Sequence, residues 1–341
     1  IDRLYREMVR FFPDVGRVGG GKKKFSRVTL VSAQSLNHVA FDDPTHPSFP
    51  DLVFADEAHL LVAPTLWEYV TRYRWCRIFG FSATLEGRFD QADKALESFF
   101  GPVIYRMTYP EAVALKLVVP IEVEWLPVEM PDPTAGLKRD CDISQAGIWR
   151  NDARNKILMD RILQIDPDES TLILTETIDQ LMFLKKHYPP LTVVYDDLEE
   201  DRYNWYARNG LLDPRHDPIM TPQLRHKLTR QFEANQLFSG NRRLVAANRI
   251  WNTGVSFDHL ETLAVAHGMG SRIKAVQGPG RVSRTSVATG KTVGRVIDLY
   301  DRWSKRSERA AKDRSSVYAK QEWKQTGIPK VTRGTAHRRV T

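Results

Sequence analysis

Short apolar runs alternate with helix-like segments along most of this 341-residue chain. The runs are continuous rather than alternating in polarity, which is typical of strands that a parallel sheet buries on both faces. Repeated alternation of strand and helix favours layers of helices packed on parallel sheets. The runs include LVFA, RIFGF, TLILT, LTVVY, RRLVAA, ETLAVA and RVIDLY. We therefore predict an α/β fold with three layers.

The length and the position of the prolines predict two domains. A chain of 341 residues exceeds what one hydrophobic core usually holds. The alternation forms two similar halves, and a cluster of prolines at 120, 127, 131 and 133 separates them. We expect a first domain over 1–125, a linker over 126–145, a second domain over 146–323 and a disordered basic tail over 324–341.

Charge and cysteine content exclude some classes of protein. The formal net charge of +8 favours a polyanionic partner such as nucleic acid. Cys76 and Cys141 lie far apart without metal-ligand spacing, so we predict neither a disulfide nor a zinc site, and a reducing cytoplasm fits. No apolar stretch approaches the length of a membrane span, so we expect no membrane partner.

Four short stretches stand in a fixed order. They are DEAH (56–59), SAT (82–84), NTGVSF (252–257) and QGPGRVSR (277–284). In this order and at these separations, the set resembles the superfamily 2 helicases of the DEAD/DEAH type, over nearly the whole chain. The resemblance implies two RecA-like parallel-sheet domains, the first truncated at its amino terminus. It also implies ATP hydrolysis coupled to movement on nucleic acid.

The resemblance assigns roles to acidic and basic residues around ATP. Phosphoryl transfer needs a carboxylate for the metal, a group that orients water and cations for the developing charge. Asp56 would hold Mg²⁺, directly or through water, and Glu57 would orient the attacking water and contact the metal indirectly. Arg281 and Arg284 would be arginine fingers, because a planar guanidinium matches phosphate oxygens. Gly254 would lie near the nucleotide.

Four further residues would connect nucleotide binding to movement. The resemblance implies that His59 and Gln277 couple the two domains and sense whether the cleft between the domains is closed. Ser82 and Thr84, from the SAT stretch, would relay that state to the DEAH loop. These roles are expectations from the resemblance alone.

Candidate nucleic-acid contacts lie in both halves. The SAQSL stretch resembles a helicase motif in which hydroxyl and amide groups contact phosphates, and it contains Ser32, Gln34 and Ser35. Thr175 and Thr253 would contact the strand from the second domain. Such contacts position a strand without reading its sequence. For each residue, a role in the core or in a turn is the alternative. The expected partner is single-stranded or branched DNA, with RNA left open.

Two stretches partly match GxxxxGK[ST], the sequence pattern of a phosphate-binding loop. GRVGGGKK (16–23) has Lys23 where a hydroxyl should bind Mg²⁺, and a helix rather than a buried strand precedes it. We interpret it as a basic loop near the nucleic-acid path or as a solvated turn. TGKT (289–292) has Thr285 in place of the first glycine. IDRLYREM resembles the helix that follows helicase motif Ia, and in the family the phosphate loop comes before that motif. We therefore expect the phosphate loop before Ile1 and no ATPase activity from these residues alone.

The finer resemblance is to type III restriction translocases and phage UvsW-type recombination helicases. GFSATLEGRFD and NTGVSFDHLETLAVAHG carry it, with Ala247 where Thr or Ser is usual. This branch implies unwinding of branched DNA in recombination or repair, in the host cytoplasm if a phage encodes the chain. Two alternatives stay open: a restriction-type translocase subunit, and a nucleotide-independent nucleic-acid binding or annealing module.

Aromatic and basic residues are interleaved in an insertion over residues 197–220, which we predict to be irregular. The insertion is either a base-stacking or strand-separating element or a loop packed by its own aromatics, and we expect the second. Its residues of interest are Arg202, Tyr203, Trp205, Tyr206 and Arg208.

Overall fold

The computed structural model describes residues 1–40, 43–61, 68, 76–82, 92–238, 240–248, 251, 257–268, 276, 278–286 and 289–329. The chain divides into two compact units, Ile1–Arg106 and Met107–Thr341. Each unit combines parallel strands with helices, which confirms the predicted α/β class.

The first unit contains two small sheets. One has the strand order β2-β1-β3, with β1 parallel to β3 and antiparallel to β2. The other is a parallel pair, β4 and β5. The strands are β1 (Val15–Gly19), β2 (Lys22–Lys24), β3 (Val28–Val31), β4 (Leu52–Ala55) and β5 (Arg77–Gly80). The α-helices described here are α1 (Asp2–Met8) and α2 (Ala92–Phe100), and 3₁₀ turns cover Ala33–His38 and Ala58–Leu60.

Several boundaries in this unit differ from the predictions. The first helix ends at Met8 instead of continuing to Phe12, and the strand predicted over 27–36 ends at Val31. The glycine-rich stretch is a β-hairpin rather than a loop, because Gly20 and Gly21 adopt positive φ angles between β1 and β2. The helix predicted near 64–73 lies almost wholly outside the described residues.

Strand β4 is less buried than its apolar sequence predicts. Leu52 is 45% exposed and Phe54 is 64% exposed, so the prediction of burial on both faces is wrong for these side chains. Among the described residues β5 is the only strand paired with β4, and the ring of Phe54 lies 5.9 Å from the rings of Phe79 and Phe81. The continuous apolar run therefore predicted this strand correctly but did not predict how far its side chains are buried.

The second unit is built on a seven-stranded sheet with the order β12-β6-β11-β10-β7-β9-β8. Every pairing in it is parallel. Its strands are β6 (Ile121–Val128), β7 (Thr171–Leu174), β8 (Thr192–Val194), β9 (Leu244–Ala247), β10 (Thr262–Val265), β11 (Gly294–Asp301) and β12 (Lys324–Thr326). Its α-helices among the described residues are α3 (Tyr109–Ala114), α4 (Asp140–Ser144), α5 (Asp152–Leu163), α6 (Ile178–Lys185), α7 (Glu200–Arg208), α8 (Pro222–Glu233) and α9 (Lys305–Lys320).

Helices cover both faces of this sheet, as the continuous apolar strands predict. Successive side chains of a strand point to opposite faces. In β7, Ile173 belongs to a core cluster with residues of α5 and α6, whereas Leu172 and Leu174 belong to a second cluster with residues of α8 and α9. Several of the helices begin at side-chain caps that satisfy free backbone amides; these caps are Asn151, Thr177, Thr221 and Ser304.

The predicted linker begins inside a strand of the second unit, because β6 extends to Val128. The units divide at Arg106 and Met107, whereas the prolines predicted a linker over 126–145. Pro127 lies inside β6, opposite Tyr300 of β11. β12 pairs with β6 only as far as Glu124, so among the described residues one side of Pro127 has no strand partner and the missing N–H is tolerated there.

The beginning of the predicted tail and part of the predicted irregular insertion are ordered. We expected β11 to be the last strand, but Lys324–Thr326 form β12 against β6. Gln325 Oε1 accepts a hydrogen bond of 2.8 Å from Trp125 Nε1, which ties this strand to the core. In the insertion, Glu200–Arg208 form helix α7. Residues 330–341 lie outside the described part of the chain.

Candidate nucleotide site

The DEAH residues begin where β4 ends. The backbone N–H of Phe81 donates to the Ala55 carbonyl at 2.8 Å, and the N–H of Ala58 donates to the Phe81 carbonyl at 2.9 Å. These bonds fix the turn that contains Asp56 and Glu57 against the end of β5. Both acidic residues are exposed. They therefore lie at the carboxyl edge of a parallel strand pair, the position where open α/β sheets bind ligands.

Glu57 has an unusual backbone conformation. Its φ and ψ angles are 51° and 43°, in the left-handed region that non-glycine residues seldom adopt. Holding a glutamate there costs on the order of 1–2 kcal/mol. Asp56 Oδ1 accepts a 2.9 Å hydrogen bond from the Glu57 N–H, which offsets part of this cost. Strain of this kind is a frequent property of functional sites.

The DEAH and SAT stretches contact each other. His59 is buried, and its Nδ1 lies 2.9 Å from the Ser82 hydroxyl oxygen and 3.3 Å from Glu57 Oε2. The imidazole therefore connects the acidic turn to the stretch that follows β5. Thr84, the other predicted relay residue, lies outside the described residues.

We expect Glu57→Asn to strengthen the acidic turn. Asparagine tolerates the left-handed region better than glutamate, so local opening should become less favourable by about 0.5–1 kcal/mol. Hydrogen exchange at the amides of Ala58 and Phe81 should slow by a few-fold. Glu57→Gln is the matched control, because it removes the charge without relieving the backbone. Equal exchange rates in the two variants would show that the turn stores no such strain.

The acidic turn suits a hard divalent cation. Mg²⁺ prefers carboxylate oxygens and is commonly held by one or two carboxylates together with substrate phosphates and water. Asp56 and Glu57 provide this donor set with exposed side chains. Within the described ranges, no group of three or more histidine, cysteine or acidic side chains is arranged to hold a metal by itself. The residues therefore fit a magnesium ion that also binds a phosphate-bearing ligand.

Arg281 and Arg284 lie in the second unit. They belong to a 3₁₀ turn, Pro279–Ser283, and to the residue after it. This turn contacts the amino end of β6, because the Val119 N–H donates to the Ser283 carbonyl at 2.6 Å. Burial, and secondarily the charge of Arg284, lowers the pKa of Arg281 to about 10. The two arginines are therefore close enough for the charge of Arg284 to act on Arg281.

An acidic residue that we did not predict from the sequence contacts Arg284. Arg284 Nη1 lies 3.4 Å from Asp258 Oδ1. An acid directly after the NTGVSF stretch was the only signal in the sequence. Both partners are partly exposed, so the ion pair orients Arg284 more than it stabilises the unit.

The predicted nucleic-acid residues differ in accessibility. Gln34 is exposed, whereas Ser32 and Ser35 are half-buried and their hydroxyl groups are 2.9 Å apart. Thr175 is fully buried, and its hydroxyl donates to the Thr177 and Ala247 carbonyls at 3.2 and 3.4 Å. The predicted residues Thr253, Gly254 and Gln277 lie outside the described residues.

Neither glycine-containing imitation of a phosphate loop has the geometry of one. A phosphate loop leads into a helix N-terminus, whereas the lysines after Gly21 continue as β2. In the TGKT stretch, Lys291 is buried and donates to the Leu260 carbonyl at 2.6 Å and to the Asp258 carbonyl at 3.2 Å. Burial lowers its pKa to about 8. The buried strand β1, and not a helix, leads directly to Gly20 and Gly21, so that part of our sequence argument was wrong.

Solved structures share this fold at low sequence identity. One is described as a fragment of an HsdR subunit of a type I restriction enzyme from Vibrio vulnificus YJ016, with a TM-score of 0.61, 17% identity and coverage of 90% of this chain and 52% of that chain. Another is S. cerevisiae Dbp5 bound to RNA and ADP BeF3, with a TM-score of 0.57, 12% identity and coverage of 95% and 73%. A third is the ATP-dependent type ISP restriction-modification enzyme LlaBIII bound to DNA, with a TM-score of 0.52, 15% identity and coverage of 86% and 21%.

These similarities define the fold class of the chain. The matched structures contain tandem RecA-like domains, so the predicted RecA-like α/β fold is confirmed. The chain spans about half the length of the HsdR fragment. No family model and no curated protein sequence matches it. In the part of the chain that the structure describes, no helix is long and apolar enough to cross a membrane.

Proposed function

We propose that this chain forms part of a superfamily 2 helicase-type motor that hydrolyses ATP, with Mg²⁺, to move along nucleic acid. The observation that carries the proposal is the acidic turn of the first unit. Asp56 and Glu57 follow a parallel strand, and His59 links them to Ser82, just after the next strand. The order of the four sequence stretches and the RecA-like fold support the same function.

Each side chain has a separate task in this proposal. Asp56 binds the metal, which when present neutralises charge on the triphosphate. Glu57 accepts a hydrogen bond from the attacking water and orients it. Arg281 and Arg284 stabilise the negative charge that develops on the transferred phosphoryl group. His59 and Ser82, with Gln277 and Thr84, transmit the state of the nucleotide.

The proposed polymer is DNA, single-stranded or branched, with RNA as the alternative outcome. The net charge of +8 supports a polyanion. Among its exposed residues, helix α9 has five cations and one acid; the cations are Lys305, Arg306, Arg309, Lys312 and Lys320. Such cations bind the phosphate backbone of a nucleic acid and do not distinguish one base sequence from another. Activity on recombination or repair intermediates would follow if the chain belongs to the UvsW-like branch.

A restriction-type translocase that does not separate strands is the second candidate. The similarity to two restriction proteins favours it. A forked duplex and a triplex-bearing duplex distinguish the two when both are incubated with the whole protein and ATP. A helicase releases a strand from the fork, whereas a translocase displaces the third strand without opening the duplex. A nucleotide-independent annealing module would do neither and would act equally without ATP.

We expect the 341-residue chain to bind single-stranded DNA with a strong dependence on salt. Each phosphate neutralised by a cation should contribute about −0.7 to the slope of log K against log salt concentration. Residues 330–341 contain four of the cations, Lys330, Arg333, Arg338 and Arg339, and no acid. Replacing these four by glutamine should make the slope less steep, by up to about 3. The measurement is fluorescence anisotropy with a labelled oligonucleotide between low and physiological salt.

A control with the same number of neutralised side chains, but of opposite charge, keeps the test specific. Changing four exposed acids to glutamine, Asp140, Asp160, Glu199 and Glu322, should not reduce the slope. Affinity that does not change with salt, or an absence of binding at low salt, would contradict the nucleic-acid part of the proposal.

A further inference from the structure

Two arginines share one buried carboxylate in the second unit. Asp179, in the first turn of α6, is 4% exposed. Arg150 Nε lies 2.6 Å from its Oδ2, Arg202 Nη2 lies 3.4 Å from its Oδ1, and the Tyr206 hydroxyl donates to Oδ1 at 2.9 Å. Burial raises the pKa of Asp179, but hydrogen bonds from Arg150 and Tyr206 outweigh it and the net shift is downward. Two cations therefore share this carboxylate, and the side chain of Arg202 remains 54% exposed.

Tryptophan side chains lie beside these arginines. The Arg150 guanidinium carbon is 5.4 Å from the centre of the Trp205 ring, within the range of a cation–π contact. Trp205 is nevertheless 41% exposed, whereas the neighbouring Tyr203 and Tyr206 are buried. Trp149 is half-buried, and its Nε1 donates to Glu176 Oε2 at 3.3 Å. We name Trp149, Arg150, Arg202 and Trp205 the Trp–Arg patch.

The buried tyrosines hold the patch rigid. The Tyr203 hydroxyl donates to the Asp217 carbonyl at 2.7 Å, and Tyr206 bonds to Asp179, so helix α7 is anchored from beneath. The expected packing of the insertion by its own aromatics is seen for Tyr203, which bonds to Asp217, and for the edge contact of Trp205 with Tyr206 at 5.4 Å, but Trp205 stays partly exposed. A ring that is already fixed loses little conformational entropy when a ligand stacks on it.

Local backbone geometry brings Trp149 and Arg150 to this position. Gln145–Trp149 form a π-helical turn directly before Arg150, a rare element that is frequent at functional sites. Glu176, the partner of Trp149, follows the carboxyl end of β7. The patch thus lies at the carboxyl edge of the seven-stranded sheet, next to Thr175, whose own hydroxyl is buried.

An acidic run precedes the patch and limits what it can bind. It consists of Asp196, Asp197, Glu199, Glu200 and Asp201. Acids at the start of a helix stabilise it, which accounts for their presence before and within the first turn of α7. Because they oppose phosphate binding, the exposed ring should contribute more to ligand binding than the arginines do. The combination of an exposed aromatic ring with arginine fits an unpaired base better than a duplex backbone.

We propose that the Trp–Arg patch is a stacking site for an unpaired base of single-stranded nucleic acid, with Trp205 against the base and Arg202 near an adjacent phosphate. This inference rests on the proposed function and deepens it by naming a contact outside the helicase-like stretches. Stacking does not depend on the 2′-hydroxyl, so single-stranded DNA and RNA of equal sequence should both use the patch.

The experiment compares strands with and without bases. The unsubstituted chain, Trp205→Ala and Trp205→Phe are titrated with a labelled single-stranded DNA, the same sequence as RNA, and an abasic DNA of equal length. Trp205→Ala should weaken binding to the base-bearing strands by about 10-fold, the size of one lost stacking contact, and leave binding to the abasic strand unchanged. Trp205→Phe should stay within about 3-fold, because a benzene ring preserves most of the stacking area.

The outcomes separate this inference from the proposed function. If the unsubstituted chain binds DNA or RNA and Trp205→Ala binds the base-bearing strands equally well, the stacking site is overturned while the motor proposal stands. Equal weakening on base-bearing and abasic strands also overturns it, because the patch would then act through charge or through the fold. If the unsubstituted chain binds no single strand at low salt, both proposals fail. Melting temperatures of the variants within about 2 °C of the parent show that the comparison is between folded proteins.

Discussion

Replacing Arg281 by alanine is expected to lower the rate of ATP hydrolysis by the whole protein by about 10³-fold or more. The affinity for ATP should change much less, because the proposed contact strengthens as charge develops in the transition state. Arg281 is largely buried, and its pKa is lowered to about 10 by burial and by Arg284. The measurement is phosphate release at saturating ATP, with and without DNA.

Two controls test whether the loss of hydrolysis is specific to the guanidinium group of Arg281. Arg281→Lys keeps the charge but loses the planar fork, so hydrolysis should be only partly restored. Arg215→Ala removes another arginine of the same unit from an exposed ion pair with Asp213 and should leave hydrolysis unchanged. Hydrolysis by Arg281→Ala within a few-fold of the parent would make Arg281 structural and would remove the last helicase-like stretch from the proposed site.

Replacing Arg314 by alanine is expected to reduce the free energy of unfolding of the second unit by about 3–5 kcal/mol. Arg314 on α9 is buried, and its Nε and Nη2 bind the carboxylate of Asp298 on β11 at 3.0 and 3.1 Å. The Tyr318 hydroxyl donates to the same carboxylate at 2.8 Å. Without the guanidinium, a fully buried carboxylate would lack its counter-charge, and burial already raises the pKa of Asp298. Urea unfolding followed by circular dichroism measures the loss.

The matched control is an arginine of the same helix at the surface. Arg306→Ala breaks an ion pair whose partners are 65% and 81% exposed, and it should cost less than about 1 kcal/mol. The double variant Arg314→Met/Asp298→Leu should recover much of the stability, because it removes both charges and keeps the volume. A loss as small for Arg314→Ala as for Arg306→Ala would show that the buried pair is not required by the fold.

The sequence by itself determined the class of fold and most elements of the second unit. The runs over 171–175 and 294–301 appear as β7 and β11, and the Thr221 cap begins α8 as predicted. These elements could be predicted because the evidence lies in neighbouring residues. A strand buried on both faces must be continuously apolar, and the free amides at a helix start need a capping oxygen. The acidic pair Asp56 and Glu57 could also be found from the sequence, because it directly follows the apolar run of β4.

Only the tertiary structure decided features that depend on neighbours distant in the chain. The exposure of Phe54 depends on what covers β4, and β12 exists because Lys324–Thr326 pair with β6, about 200 residues earlier. Pro127 reads locally as a strand breaker, yet β6 tolerates it because β12, on one side, pairs only as far as Glu124. The Trp–Arg patch is likewise assembled across the chain, since Arg150 and Trp205 meet only when α7 packs against α6. Local composition sets the preference of a segment, but pairing and burial against remote segments determine where its side chains finally lie.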